Sequence, residues 1–239
     1  MTVDLARAVV RQLKEAADPE RGRHNEGYHP TAMRILGVPV PKTRKILAPL
    51  ARGLRGESPE KVLDVARSLL DTRVHEARQV AFELVGRRPD VIRGLDASAV
   101  EALGEGNDNW GSVDCFAVYV AGPSWRDGKV TDGDVRRWAD SDDPWWRRTA
   151  LVCTVPLNMS SRGGTGDGPR TVAVCELLAV DRHPMVVKAL SWALRALVPV
   201  EAGVVEAFLA RHGEDLAPLV RREVGNKLRT GVKNPRGRG

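Results

Sequence analysis

Two tryptophans and one carboxylate carry the chemical suggestion in this chain. Trp110 and Asp114 stand four apart in Asn109-Trp110-Gly111-Ser112-Val113-Asp114. On a helix, residues four apart share a face, so an indole and a carboxylate would point the same way. Trp192 lies in a later apolar run, Met185 to Val198. The polar residues of that run are Lys188, Ser191 and Arg195, a spacing that marks a solvent stripe with Trp192 beside it, between two cations. An aromatic face next to a carboxylate suits the stabilisation of a developing positive charge. Each residue also has a plainer role. Asp114 could favour the helix dipole from an early turn, and Trp192 could be a core tryptophan.

The elements that must hold these residues read as helices. Alternating apolar and polar positions are nearly absent, and no Asn-Gly turn separates apolar runs. Helical periodicity fills the chain, and four helices share a basic residue followed by small and aliphatic positions. They centre on Arg78, Arg148, Lys188 and Arg222. Arg78 to Arg148 is two steps of 35, Arg148 to Lys188 is 40 and Lys188 to Arg222 is 34. Such steps match paired-helix solenoids of the HEAT kind. The expected fold is all-α, a HEAT-like helical repeat solenoid with a concave groove. One repeat domain is expected over 1–229, with a disordered basic tail over 230–239.

Helix starts are legible. Ser141-Asp142-Asp143-Pro144 offers acids for a cap and proline at the first helical position. Ser58-Pro59 and His183-Pro184 open apolar runs in the same manner. Asn107-Asp108-Asn109 precedes Trp110, which puts Trp110 and Asp114 in the opening turns of their helix. The glycine-rich stretch from Ser160 to Pro169 reads as a flexible loop. It lacks the strand–loop–helix setting and the Gly-Lys-Ser/Thr ending of a phosphate-binding loop.

Charge narrows the partners. The chain carries 37 Lys and Arg against 31 Asp and Glu, a net charge of +6. Seven of the cations and one acid fall in residues 221–239, so the rest of the chain is neutral and the C-terminal segment carries the whole excess. A basic end can be merely solvated, or can neutralise nucleic-acid phosphates. A DNA-binding body would need a local patch rather than a global field. Arginine outnumbers lysine 29 to 8, which suits bidentate phosphate contacts and equally follows from a GC-rich genome.

Other classes of function lose support. The three cysteines, Cys115, Cys153 and Cys175, form no CxxC motif and read as small buried hydrophobes. The five histidines are scattered, so neither a metal nor an organic cofactor is expected. No apolar run reaches membrane-spanning length, and the first residues lack a signal-peptide core. A cytoplasmic, nucleoid-associated monomer that avoids membranes is expected.

At these residues the chain resembles the AlkD family of DNA glycosylases, HEAT-like repeat proteins that excise alkylated purines. The family's Trp-x-x-x-Asp appears as Trp110 to Asp114. Its Trp-x-x-Arg helix appears as Trp145-Trp146-Arg147-Arg148, and its Lys-Ala-x-x-Trp-x-Leu-Arg helix as Lys188 to Arg195. Tyr28, ahead of Leu36-Gly37-Val38, resembles the family's tyrosine placement. The matches run in order over most of the chain.

The resemblance implies a monofunctional alkylpurine DNA glycosylase of base excision repair acting on double-stranded DNA. An N3- or N7-alkylated purine is already cationic and leaves as a neutral base, so no general acid is needed. The barrier lies in an oxocarbenium-like deoxyribose. Asp114, ionised from an ordinary pKa of about 4, would stabilise that charge and orient water. Trp110 and Trp192 would pack on the sugar, each worth roughly 1–2 kcal/mol. Arg148 would hold a phosphate, with Lys188 and Arg195 as further backbone contacts and Tyr28 as a packing or DNA-contacting residue. The lesion would not be flipped into a deep pocket, unlike the usual glycosylase habit. Bulky natural-product adducts, and hence self-resistance, would then be accessible.

Arg148 could instead be a ladder arginine of the repeats, and Trp125, Trp138, Trp145 and Trp146 read as structural. Gly111 departs from the acid that often follows the family's tryptophan, and the 160–168 insertion departs from compact members. Two other functions remain. One is a non-catalytic scaffold that binds DNA or protein. The other is strand cleavage through a Lys188 Schiff base, which would require a desolvated lysine.

Overall fold

The computed structural model describes residues 2–28 and 30–235, leaving out the side chains of Glu26 and Tyr28. Fourteen α-helices are found among the described residues. They are α1 (Thr2–Glu15), α2 (Pro19–Tyr28), α3 (Val40–Gly53), α4 (Pro59–Leu70), α5 (His75–Gly86), α6 (Pro89–Gly94) and α7 (Ala97–Gly104). Then follow α8 (Trp110–Phe116), α9 (Gly122–Arg126), α10 (Asp132–Ala139), α11 (Pro144–Val152), α12 (Gly168–Leu177), α13 (Pro184–His212) and α14 (Pro218–Thr230). A π-helical turn, Ala117–Ala121, continues α8, and two 3-10 turns span Val155–Leu157 and Ser160–Arg162. The described residues contain no named strand, only a single bridge between Arg34 and Val74. The all-α expectation holds.

The chain divides into two compact units, Met1–Val120 and Ala121–Gly239. Helices pack chiefly on near neighbours in the chain. In the first unit α4 packs on α1, α5 and α6, and α5 also packs on α3 and α8. In the second, α11 packs on α10 and α13, and α13 also packs on α12 and α14.

Four anticipated helix starts are found where the caps put them. Ser58 accepts from the Lys61 amide at 3.3 Å, Asn109 from Ser112 at 3.0 Å, Asp143 from Trp145 at 2.9 Å and the His183 ring from Met185 at 3.3 Å. Each satisfies an amide that the helix itself leaves unpaired. Pro199 interrupts α13, and Glu201 leaves helical geometry at φ −140°, ψ 63°. Proline removes a hydrogen bond and crowds the preceding turn, so α13 is in effect two helices joined at a kink.

Two expectations are revised. The glycine-rich loop is held rather than loose. Asn158 accepts from the Asp167 amide at 2.8 Å, and the Gly166 amide donates to the Leu157 carbonyl at 3.0 Å. Any Cβ at Gly164 would stand 2.3 Å from the Pro156 and Leu157 carbonyl oxygens, so glycine serves close packing there. The C-terminal segment does not fray from 230 onward. Gly231 takes φ 75°, and Asn226 donates to the Lys233 carbonyl at 3.1 Å. The segment folds back as far as Pro235, and the rest of the expected tail lies outside the described residues.

Candidate nucleic-acid interface

The approach to α8 is built from three polar residues with three tasks. Asn107 accepts from the Arg78 guanidinium at 2.9 Å. Asp108 accepts from the Ala32 amide at 2.6 Å and from the Thr31 hydroxyl. Asn109, fully buried, caps the helix. The loop before Trp110 is thus bonded to α5 and to the segment after α2. Val113 and Phe116 are buried, and Phe116 meets Phe82 of α5 with ring centroids 5.3 Å apart. With that face committed to the core, Trp110 and Asp114 share another face and are both half-buried. Burying Val113 and Phe116 therefore sets the direction of the carboxylate.

A second carboxylate organises the same unit, and sequence reasoning missed it. Glu76, only 2% exposed, accepts from the amides of Leu36 (3.0 Å), Gly37 (2.7 Å) and Val38 (3.2 Å). Gly37 has φ +78°, and a Cβ there would meet the Asp18 carbonyl oxygen at 2.2 Å. This explains the Leu36-Gly37-Val38 motif: its amides converge on one carboxylate, and only glycine allows the turn. Tyr28 ends α2, and its side chain lies outside the described residues. His75, one residue before Glu76, is buried, and desolvation pulls its pKa down to about 4.

The second unit holds the other candidates. Val186, Val187, Ala189, Leu190, Ala193, Leu194 and Leu197 of α13 are buried. That leaves Lys188 exposed, with Trp192 and Arg195 half-buried. Positions i, i+4 and i+7 place these three along one face of the helix. Ser191, expected on the solvent stripe, is instead fully buried, and its hydroxyl donates to Glu223 at 2.6 Å. Arg195 donates to the Ser191 oxygen at 3.1 Å and stands 3.7 Å from Glu223, while Lys233 pairs with Glu223 at 3.1 Å. Burial works against the charge on Glu223, but Ser191, Lys233 and Arg195 outweigh it and hold its pKa below the usual carboxylate range. Trp192 and Arg195 open onto a cavity of about 360 Å³ that Lys227 and Lys233 also line.

Arg148 is only 5% exposed, and its guanidinium donates to the Met185 carbonyl at the start of α13. It links α11 to α13. Arg78 does the same in the first unit, donating to the Glu105 carbonyl at 2.8 Å and to Asn107. Of the four repeated cations, Arg78 and Arg148 are buried ties, while Lys188 and Arg222 are exposed. Trp125 is buried, and its ring N–H donates to Asp132 at 2.8 Å. Trp138 is buried and stacks on half-buried Trp146 at 5.4 Å. Trp145 meets the His183 ring edge-on at 6.5 Å. Cys153 and Cys175 are buried and Cys115 is half-buried. Among the described residues no cluster of three or more His, Cys, Asp or Glu could hold a metal, and no helix is long and apolar enough to cross a membrane.

The helical architecture is that of an all-α protein. The DNA alkylation repair enzyme family matches residues 9–228, and the chain belongs to that family. This agrees with the AlkD resemblance seen in the motifs. Its fold is similar to that of a protein described as a predicted DNA alkylation repair enzyme from Enterococcus faecalis. The TM-score is 0.70 at 18% identity, covering 90% of this chain and 97% of the other. No curated protein matches the chain.

Proposed function

We propose that the protein is a monofunctional DNA glycosylase. It hydrolyses the N-glycosidic bond of cationic N3- or N7-alkylpurines in duplex DNA, without metal or organic cofactor. The observation that carries the proposal is the presentation of Asp114. It stands one turn after half-buried Trp110, on a helix capped by Asn109 and seated through Val113 and Phe116. A carboxylate held beside an indole is arranged in advance for the positive deoxyribose that forms as a damaged base departs.

Asp114 stabilises the oxocarbenium-like sugar and orients the attacking water. Trp110 packs on that sugar, and Trp192 is the other indole assigned to the chemistry. Lys188 and Arg195 contact the DNA backbone. Arg148 acts on it through the position it imposes on α13, and Tyr28 contacts the duplex or packs beside it. The alkylated base already carries the charge that makes it a good leaving group, so it leaves without a proton donor. The lesion stays in the duplex rather than being flipped into a deep pocket. Because nothing need enclose the base, bulky natural-product adducts are substrates as well as methylpurines. The enzyme works as a monomer in the cytoplasm, at the nucleoid.

The test is release of free base from duplex DNA carrying N7-methylguanine and, separately, a large minor-groove N3-adenine adduct, read by mass. Wild type releases base from both. Asp114→Asn keeps size and polarity but loses the charge, and is expected to be about 100- to 1000-fold slower. Equal rates for the two proteins remove Asp114 from the mechanism. Salt-dependent duplex binding without base release from either substrate favours a non-catalytic scaffold.

A further inference from the structure

We infer that the cavity beside Trp192 is a phosphodiester subsite, assembled by the C-terminal segment and the glycine-rich loop, which holds one backbone phosphate of bound DNA. That the phosphate belongs to DNA rests on the function proposed above; that the site takes a phosphate rests on its own chemistry. The cavity measures about 360 Å³, and the residues that matter are Trp192, Arg195, Lys227, Lys233, Ser160 and Ser161. Three cations meet there. The nearby carboxylate Glu223 is 5% exposed and already engaged by Ser191, Arg195 and Lys233. Two positive charges remain in excess, and cations crowded around one cavity repel one another until an anion enters.

The lining fits a sugar-phosphate more closely than a free carboxylate. Ser160 and Ser161 are exposed and add hydroxyl donors at the rim, and phosphate oxygens accept several donors at once. Trp192 adds an apolar face of the kind that packs on a deoxyribose. A volume of 360 Å³ lies near the lower end of the roughly 300–1,000 Å³ of small-ligand sites, which suits one backbone unit.

The two elements that close the cavity are those the proposed chemistry leaves unused. Gly231 turns the chain back, Lys227 holds the turn by donating to the Gly231 carbonyl at 2.6 Å, and Glu223 draws in Lys233 at 3.1 Å. On the other side, the loop presents Ser160 and Ser161 from a 3-10 turn. Its root is pinned by Asn158, which donates to the Thr171 hydroxyl at 2.8 Å. The basic excess of the chain, confined to residues 221–239, is thereby partly gathered at one point.

The experiment uses the full chain and a labelled duplex, with binding measured by anisotropy from 50 to 200 mM salt. Lys227→Ala/Lys233→Ala is compared with Arg221→Ala/Arg222→Ala, which removes the same charge from exposed residues of α14 that do not line the cavity. One lost phosphate contact lowers the slope of log K against log salt by about 0.9. We expect that change for the lysine pair, with affinity down about tenfold and the arginine pair within about twofold of wild type.

Lys227→Arg/Lys233→Arg, which keeps charge and donors, restores the slope. If the alanine pair does not fold, Ser160→Ala/Ser161→Ala replaces it, with a weakening of about threefold expected. Equal losses for the lysine and arginine pairs, or no loss from the serine pair where it serves as the test, overturn the subsite. Inorganic phosphate that raises the melting temperature while the DNA slope stays unchanged overturns the assignment to DNA. Base release by the wild type with one slope for all variants sinks the subsite and keeps the glycosylase. A slope change in a protein that releases no base does the reverse.

Discussion

Replacing Glu76 tests how the first unit is held together. The carboxylate is 2% exposed and receives three amides, from Leu36, Gly37 and Val38. In Glu76→Ala all three lose their acceptor, and each unsatisfied buried donor costs about 1–3 kcal/mol. Water entering the vacated space recovers part of this, which leaves a loss of about 4 kcal/mol. In Glu76→Gln one oxygen remains for the 2.7 Å contact with Gly37, but the amide nitrogen opposes a second N–H group, so about 2 kcal/mol is lost. At about 2–4 °C per kcal/mol for a chain of this size, the alanine variant melts roughly 8–16 °C lower and the glutamine variant about half as far. Calorimetry measures both shifts, and hydrogen exchange at residues 36–38 reports the local effect. In wild type these amides exchange slowly; in Glu76→Ala they exchange as if open to solvent. A melting shift below about 2 °C with the three amides still protected would show that the carboxylate does not organise this loop.

Three further outcomes follow from the same geometry. His75 titrates at about 4 in the folded protein because burial disfavours its charged form, against about 6.5 when unfolded. The unfolded chain therefore takes up the proton first, so the stability present above pH 6.5 is lost as pH falls to about 4, by at most about 3 kcal/mol; in urea titrations His75→Gln should lack this component, and a pH profile matching wild type would exclude His75 as its source. Gly37→Ala forces a side chain into a left-handed turn and against the Asp18 carbonyl oxygen, so a loss of about 2–4 kcal/mol is expected by urea denaturation, and a neutral substitution would contradict the packing. Trp192→Ala should slow base release about 5- to 30-fold, equivalent to roughly 1–2 kcal/mol of cation–π stabilisation, with the melting temperature nearly unchanged; an unaltered rate in single-turnover assays removes the indole from the chemistry.

Local features were legible because local physics sets them. Asn109 before Trp110, Asp143 before Pro144 and Ser58 before Pro59 mark helix starts, since a capping side chain bonds amides only two or three residues away. The four-residue spacing of Trp110 and Asp114 implies a shared face from helix geometry alone. Glycine was harder to interpret. A run of glycines at 163–168 looks loose in a sequence, yet Gly164 is there because carbonyl oxygens crowd its Cβ position. Close approach and flexibility select the same residue, and spacing does not separate them.

The cations divide in the same way. By itself the sequence determined helical class, helix starts, the shared helical face of Trp110 and Asp114 and the confinement of excess charge to residues 221–239, because each depends on residues close in the chain. Tertiary structure decided that Arg148 ties α11 to α13, that Ser191 is buried on Glu223, and that Lys227 and Lys233 reach the cavity beside Trp192. Those outcomes depend on which distant carbonyl or carboxylate a side chain meets, and arginines in similar helical sequence patterns look alike until packing buries some and leaves others in water.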